Sequence, residues 1–142
     1  MTKSLARSRV ALFTSSGHFL EGDDPEPFGI KNMTQEEAES RVKDFVKGVP
    51  QLSIIPSNTP ADQLRVRHCG YDVECAANDP NVIFPLELLN EMVGEGFIGE
   101  LAPEAYSFIG ACSQLRLNKK EGPKWVEHLR QQHVDSVLLV PG

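Results

Sequence analysis

The strongest constraint on the fold is the alternation of short apolar runs with amphipathic helical segments. The first run, "RVALFTSSG", breaks at Ser15, Ser16 and Gly17, which predicts a buried strand followed by a loop. The last run, "VDSVLLV", predicts a strand that is covered on both faces, as strands of parallel sheets are. Between them, "LSIIP" predicts a second strand, and the alternating "LRVRH" predicts a third, half-exposed one.

Three helices are predicted between these strands. Thr34 and Glu37 form a capping box, in which each side chain satisfies a free backbone N–H at the helix start. This helix then shows an apolar stripe and two stop signals: Ala38, Val42, Phe45 and Val46, then Gly48 and Pro50. The second helix begins at Pro85 and has a stripe closed by two glycines: Leu86, Leu89 and Val93, then Gly94 and Gly96. The third begins at Pro123 and faces the core through Trp125, Val126 and Leu129.

The alternation of strands and helices predicts an α/β fold of three layers, with a mostly parallel sheet and helices on both faces. The length of 142 residues fits a single domain, 1–142. Three other segments carry weaker signals. Residues 18–29 are too broken by glycine and proline for regular structure, 69–80 predict a loop, and 103–115 predict a helix or turn. The layering is Rossmann-like, but "GEGFIG" follows a helix, so it is not a dinucleotide fingerprint.

Charge and composition narrow the class of protein. The net charge of −6 argues against nucleic acid or an anionic membrane as a partner, because both require basic patches. No apolar run approaches the roughly 20 residues that span a bilayer, and the apolar segment at the start is too short for a signal peptide. The three cysteines are odd in number and lack CxxC spacing, which favours reduced thiols. We therefore expect a cytoplasmic protein.

Two segments are candidate functional sites. "TSSGH" follows the first strand, where Ser15, Ser16 and Gly17 are placed to meet an anion or a substrate carboxylate, although the local sequence by itself favours an ordinary turn. The second segment crowds many polar residues after the third strand: His68, Cys69, Tyr71, Asp72, Glu74, Cys75, Asn78, Asp79 and Asn81.

The dense segment is open to three interpretations. His68 and Asp72 suit an acid–base pair, in which the carboxylate fixes the imidazole tautomer. His68, Cys69, Asp72 and Cys75 are alternatively metal ligands, although their spacing matches no strong zinc pattern, and we assign no metal site. The third interpretation is a polar loop whose side chains cap turns and helix ends.

The same segment resembles a known family. His68–x–Gly70–Tyr71–Asp72, Asp79–x–Asn81 and Phe84–Pro85 are similar to motifs of the selenoprotein B family of glycine, sarcosine, betaine and D-proline reductases. The resemblance extends to "LELLNEMVGEGFIGELAPEAYSFIG" and to "VALFTSSGHFLEGDDPEPF", in the same order along the chain. In that family a strand similar to "VDSVLLVPG" is followed almost at once by selenocysteine, or by cysteine in selenium-free relatives. The resemblance therefore implies an N-terminal portion of a longer reductase subunit.

For a whole protein of this family, the resemblance implies reductive cleavage of a carbon–nitrogen bond in an amino acid or a similar amine. No cofactor is expected in this chain. Selenocysteine or cysteine would follow it, a partner subunit would supply a pyruvoyl carbonyl, and a thiol reductant would supply electrons. Homo- or hetero-oligomers are expected.

The resemblance also assigns roles to individual residues. His68, Asp72 and Tyr71 become catalytic candidates, with His68 the first choice for proton transfer. Asp79 and Asn81 join the substrate-binding candidates, although both also suit a capping role before Pro85. Two alternatives remain open: a non-catalytic domain that binds a partner or a small carboxylate, and a metal-dependent hydrolase that uses residues 68–75.

Overall fold

The computed structural model describes residues 3–23 and 34–142. Within these residues the strands are β1 (Arg9–Thr14), β2 (His18–Leu20), β3 (Ser53–Pro56), β4 (Leu64–Val66), β5 (Glu100–Leu101), β6 (Glu104–Ser107) and β7 (Ser136–Val140). The helices are α1 (Gln35–Ser40), α2 (Val42–Lys47), α3 (Val73–Asn78), α4 (Leu86–Gly94), α5 (Gln114–Arg116) and α6 (Gly122–Gln131). A π-helical turn, Leu117–Glu121, joins α5 to α6. No helix in the described ranges is long and apolar enough to cross a membrane.

The main sheet is organised around β1. On one side β1 pairs in parallel with β7, from Val10 opposite Ser136 to Thr14 opposite Val140. On its other side β1 pairs in parallel with β5 and then with β6. Only β3 runs antiparallel, alongside β6. The prediction of a mostly parallel sheet is therefore confirmed.

Helices cover both faces of this sheet, because successive β1 side chains point in opposite directions. Val10 and Leu12 pack on one face against Leu86 and Leu89 of α4. Ala11 and Phe13 belong to the other face, which Leu129 of α6 covers. The predicted three-layer α/β class is confirmed, and α4 has the predicted bounds, with Gly96 in a left-handed turn at φ +77°.

A two-stranded antiparallel sheet lies beside the main one. In it β2 pairs with β4, from His18 opposite Val66 to Leu20 opposite Leu64. The prediction of no regular structure in 18–29 is therefore wrong for His18–Leu20, and residues 24–33 lie outside the described residues. Three residues cannot show a sequence period, and the strand exists because β4 pairs with it.

Two other segments differ from their predicted structure. Residues 103–115, predicted as a helix or turn, contain the strand β6, which β1 and β3 hold between them, and reach a helix, α5, at their last two residues. Residues 69–80 contain the short helix α3 instead of being wholly a loop. Tertiary pairing in the first case and a side-chain cap in the second override the weak local signals.

The first predicted helix is only partly as expected. The capping box forms, with Thr34 N–H donating to Glu37 Oε2 over 2.9 Å and Glu37 N–H to Thr34 Oγ1 over 3.2 Å. The helix then breaks at Arg41, and of its stripe Phe45 is buried, Val42 and Val46 are exposed, and the Ala38 side chain lies outside the described part.

One side chain and one strand that were predicted to be covered are exposed. Val126 of α6 was expected to face the core but is 48% exposed, whereas Trp125 and Leu129 are half-buried. The strand β7 was expected to be covered on both faces, yet four of its five residues are exposed. The reason is that β7 lies at the margin of the sheet among the described residues.

Gly17 provides a test of how the two sheets are joined. Its φ is +76°, and a Cβ would lie 2.1 Å from the backbone oxygen of Arg67. Gly17→Ala should therefore destabilise the fold by more than ~2 kcal/mol, because strain and a backbone clash add. Gly94→Ala is the matched control: it has open space around it and ends a helix, so alanine should stabilise by ~0.5–1 kcal/mol. Urea unfolding measures both, and a Gly17→Ala change within ~0.5 kcal/mol of wild type would contradict the assignment.

Candidate functional site

The candidate site lies where the carboxyl ends of β1, β6 and β7 meet at one edge of the sheet. Because these strands are parallel, the segments that follow them emerge side by side. Ser15 N–H donates to the carbonyl of Val140, and Gly17 N–H donates to that of Phe108. The loop after β1 is thereby tied to both neighbouring strands.

A buried polar cluster holds these strand ends together. Thr14 Oγ1 lies 2.6 Å from Ser16 Oγ and 3.1 Å from Ser107 Oγ. Ser16 Oγ also lies 2.8 Å from Nδ1 of His18, whose backbone N–H donates to Ser107 Oγ over 2.9 Å. We call Thr14, Ser16, His18 and Ser107 the hydroxyl–imidazole cluster. All four residues are at most 1% exposed, so this hydrogen-bonded cluster lies in the interior of the protein.

The imidazole of this cluster is neutral at neutral pH. His18 stacks on the ring of Phe84 with centroids 5.1 Å apart. Burial lowers the pKa of His18 to about 4, and a backbone contact with Ala76 offsets only part of that effect. A neutral ring can exchange hydrogen bonds with a hydroxyl at no charge-burial cost, which explains why serine and histidine are neighbours here.

Gly142 reaches this site at the end of β7. Its N–H donates to Ser15 Oγ over 2.8 Å. A Cβ on Gly142 would lie 3.1 Å from Cα of Ser16 and 3.3 Å from Cε1 of Tyr71, so the backbone of Gly142 packs directly on both residues. The hydroxyl of Tyr71 donates to the carbonyl of Ser16. The structure therefore brings together Ser15, Ser16 and Tyr71 from the two predicted segments.

His68 packs against the ring of Tyr71. Their rings stack with centroids 4.7 Å apart, and Nδ1 of His68 accepts from Gly70 N–H over 2.8 Å. His68 is 2% exposed, and burial lowers its pKa to about 4. Because Nδ1 is an acceptor in a neutral ring, the proton sits on Nε2, which is buried and has no hydrogen-bond partner within residues 3–23 and 34–142. Burial also raises the pKa of Tyr71.

The predicted acidic and amide residues take other positions. The carboxylate of Asp72 accepts from the backbone N–H groups of Glu74 and Cys75, which caps α3, and it does not bond to His68. Asp79 accepts from Asn81 N–H and caps the following turn, and the Asn81 side chain donates to Glu87. These three side chains are engaged in holding the local backbone, as the capping interpretation predicts.

The cysteines are scattered. Cys75 is exposed, Cys69 is half-buried and Cys112 is buried. Burial raises the pKa of the Cys69 and Cys112 thiols, so both stay protonated at neutral pH. Among the residues that the structure describes, no three His, Cys, Asp or Glu side chains are grouped so as to hold a metal ion.

Thr14, His18 and Ser107 contribute to the site although none of them was singled out from the sequence: Thr14 and His18 lie within the "TSSGH" segment, and Ser107 lies outside both candidate segments. A histidine two residues after Ser16 was the one available signal, since both side chains then emerge from one loop. Ser107 lies in a segment predicted as a helix or turn, so nothing local placed it beside Thr14. Only the parallel register of β1 and β6 does so, at Thr14 opposite Ser107.

Comparisons with known proteins agree on one family. Residues 1–141 match the family model of glycine/sarcosine/betaine reductase selenoprotein B. D-proline reductase subunit gamma of Acetoanaerobium sticklandii is 29% identical over 143 residues, which cover 100% of this chain and 52% of that subunit. Glycine reductase complex component B subunit gamma of Carboxydothermus hydrogenoformans is 29% identical over 137 residues, covering 96% of this chain and 28% of the subunit. This chain thus spans about half or less of these relatives. No solved structure matches it.

The two buried histidines, His18 and His68, make the stability of the fold depend on pH. Each has an unfolded pKa near 6.5 and a folded pKa of about 4, so the unfolded state binds more protons as the pH falls. Well above pH 6.5 both rings are neutral in the folded and the unfolded state. The free energy of unfolding should fall by ~2 kcal/mol per histidine between pH 7 and pH 5. Urea unfolding at several pH values measures this loss. His18→Gln should remove about half of the pH dependence, and an unchanged stability between pH 7 and pH 5 would contradict the neutral assignment.

Asp72 can be tested as a helix cap. Asp72→Ala should destabilise the protein by ~1 kcal/mol, because two backbone N–H groups of α3 lose their acceptor. Asp72→Asn retains an acceptor oxygen and should stay within about 0.5 kcal/mol of wild type. Thermal unfolding of the two variants provides the comparison. Equal losses for alanine and asparagine would show that the negative charge, and not the cap, matters at this position.

Proposed function

The chain belongs to the glycine/sarcosine/betaine reductase selenoprotein B family, and we propose that it forms the N-terminal part of a reductase subunit that cleaves a carbon–nitrogen bond. In this proposal the nucleophile, a selenocysteine or cysteine, follows Gly142 in the whole polypeptide. The substrate is an amino acid or a similar amine. The relatives are named as subunits or components of reductase complexes, which supports a reductase subunit that works with partner subunits.

The observation that carries the proposal is the position of Gly142. Its N–H bonds to Ser15 Oγ, and its backbone packs on Ser16 and Tyr71. A residue that follows Gly142 would start next to these side chains, at the sheet edge where α/β enzymes bind substrates. The family resemblance and the geometry at the strand ends therefore support the same position for the nucleophile, directly after Gly142.

The chemistry balances with a thiol reductant. A selenolate or thiolate attacks the carbon that bears the amine, which forms a carbon–selenium or carbon–sulfur bond and breaks the carbon–nitrogen bond. The amine leaves with a proton. A dithiol then supplies two hydrogens, one to the substrate carbon and one to the nucleophile, and becomes a disulfide. A pyruvoyl group on a partner subunit would supply a carbonyl that activates the amine.

This chain's own residues would prepare the site. Ser15 fixes the backbone of Gly142, and Tyr71 fixes that of Ser16. His68 presents an Nε2–H that lacks a partner in the described part of the chain, and we propose that it donates a hydrogen bond toward the substrate or the leaving amine. Asp72, Asp79 and Asn81 would support the site indirectly, because their hydrogen bonds fix the backbone between β4 and α4.

The gene provides the first test of the proposal. We expect the codons after Gly142 to encode a cysteine, or a UGA read as selenocysteine, followed by an open frame with a further cysteine. The longer protein, supplied with a dithiol and its partner subunit, should release the amine of glycine, sarcosine or betaine, or open the ring of D-proline, whose nitrogen stays attached to the product. Alkylation of the new residue should abolish this cleavage. If the longer protein carries the residue but alkylation does not affect the cleavage, the nucleophile lies elsewhere.

His68 can then be tested in the longer protein. His68→Ala should lower the rate of amine release about 10²–10⁴-fold, the usual scale for a group that handles a proton or its hydrogen bond in the transition state. His68→Gln keeps an N–H donor and should recover part of the rate. His133→Ala, after the end of α6, is the matched control and should leave the rate unchanged. A loss below tenfold for His68→Ala at unchanged stability would make His68 a packing residue.

A further inference from the structure

The outer edge of β7 lacks the cover that its composition requires. Among the described residues no strand pairs with this edge, while the inner edge pairs with β1 over the whole strand. Val137, Leu138 and Leu139 are 38%, 39% and 70% exposed. The strand is nevertheless fixed at both ends, because Asp135 Oδ2 accepts from Arg9 N–H over 2.8 Å and Val140 accepts from Ser15 N–H.

An apolar cleft adjoins this edge on the α6 side of the sheet. Its volume is about 460 Å³. Phe13, Phe108 and Trp125 form one wall, with ring centroids 5.2–5.9 Å apart. Leu139, directly opposite Phe13 in the β1–β7 register, lines the same cleft. The cleft and the exposed edge are therefore one continuous apolar surface.

This surface lacks the features of a natural outer edge. Edge strands that face water carry lysine, proline or inward-pointing charges, which prevent pairing with other strands. Residues 136–140 carry no charge, and the strand is apolar toward both layers. Parallel strands of this kind occur where helices cover both faces of the sheet. The sequence of β7 thus fits an interior strand.

We propose that the β7 edge and the adjoining cleft form a docking surface for the part of the reductase polypeptide that this chain does not match in its relatives. This part would add a strand parallel to β7 and seat an apolar helix against Phe13, Phe108 and Trp125. The inference rests on the proposed function. It is supported by length, because this chain covers only 52% and 28% of the two relatives compared above. A parallel neighbour requires a crossover of a dozen or more residues, usually a helix on one face of the sheet.

A second copy of this chain fits the surface less well. A two-fold interface presents the same patch from both sides, so β7 would pair with β7 in antiparallel orientation and the two clefts would lie side by side on the same face of the sheet. Neither cleft would then be filled. A strand followed or preceded by a helix fills both the edge and the cleft, which is why we choose it as the occupant.

The experiment uses the polypeptide encoded after the codon for Gly142, produced as a separate chain and mixed with residues 1–142. We expect a 1:1 complex. Leu139→Lys should weaken it at least tenfold, since a buried interface would have to accept a charge, whereas the 70% exposure of Leu139 lets the unbound chain tolerate lysine. Leu88→Lys on α4, where leucine is 48% exposed on the opposite layer, is the matched control and should change the affinity less than twofold.

The uninterrupted longer protein gives a second readout that does not depend on mixing two chains. In it, a cysteine at Leu139→Cys should react with a maleimide at least tenfold more slowly than one at Leu88→Cys. Equal reactivity, a Leu139→Lys affinity equal to wild type, or the lack of a coding frame after Gly142 would overturn the inference. So would a concentration-dependent homodimer that Leu139→Lys abolishes, because it would identify a second copy as the occupant.

The failure of this inference can be told apart from failure of the proposed function. If the longer protein releases amine while the cysteine at position 139 stays fully reactive, the reaction stands and the docking surface does not. If that cysteine is protected but the carbon–nitrogen bond of none of the four substrates is cleaved, the docking surface stands and the proposed reaction does not.

Discussion

The central position of β1 is the constraint on which the rest of the structure depends. Helices pack on both of its faces, with the buried Val10 and Leu12 toward α4 and the buried Ala11 and half-buried Phe13 toward α6. Since β6 and β7 run parallel to it and end opposite Thr14, their carboxyl ends share one edge with its own. The candidate site exists because of that shared edge: Ser15 and Ser16 cannot leave β1 without meeting the residues that follow β6 and β7.

Desolvation gives this site its chemical character. His18 and His68 are both buried with pKa values near 4, so two imidazoles remain neutral and act through hydrogen bonds. Nδ1 of His18 bonds to Ser16 Oγ in the cluster that joins the strand ends. The Nε2 atoms of both His18 and His68 are buried without a hydrogen-bond partner among the described residues, so this feature does not distinguish the two rings. Position does: His68 stacks on Tyr71, which packs against Gly142, whereas His18 belongs to the buried cluster, and the proposed functional role of His68 rests on that position.

The sequence predicts most of the fold because long apolar runs and helix caps are local signals. The run before Ser15, the capping box at Thr34 and the Pro85 helix are all found where they were expected. The site is less predictable. His18–Leu20 and β6 owe their strand structure to distant pairing partners, and Ser107 approaches Thr14 only through register. Asp72 looked like a partner of His68, yet a cap and an acid–base partner require the same residue type after a strand.

The exposed strand β7 leads directly into the candidate site, because Gly142 follows it along the chain. β7 runs from the Asp135 contact with Arg9 to Gly142 beside Ser15, so its register determines where the backbone meets Ser16 and Tyr71. A strand held by one neighbour is easier to displace than one held by two, because its outer backbone groups exchange freely with water. Covering the outer edge of β7 would therefore do more than bury apolar surface. It would fix the position of Gly142, and of whatever residue follows it, to the accuracy that displacement chemistry requires.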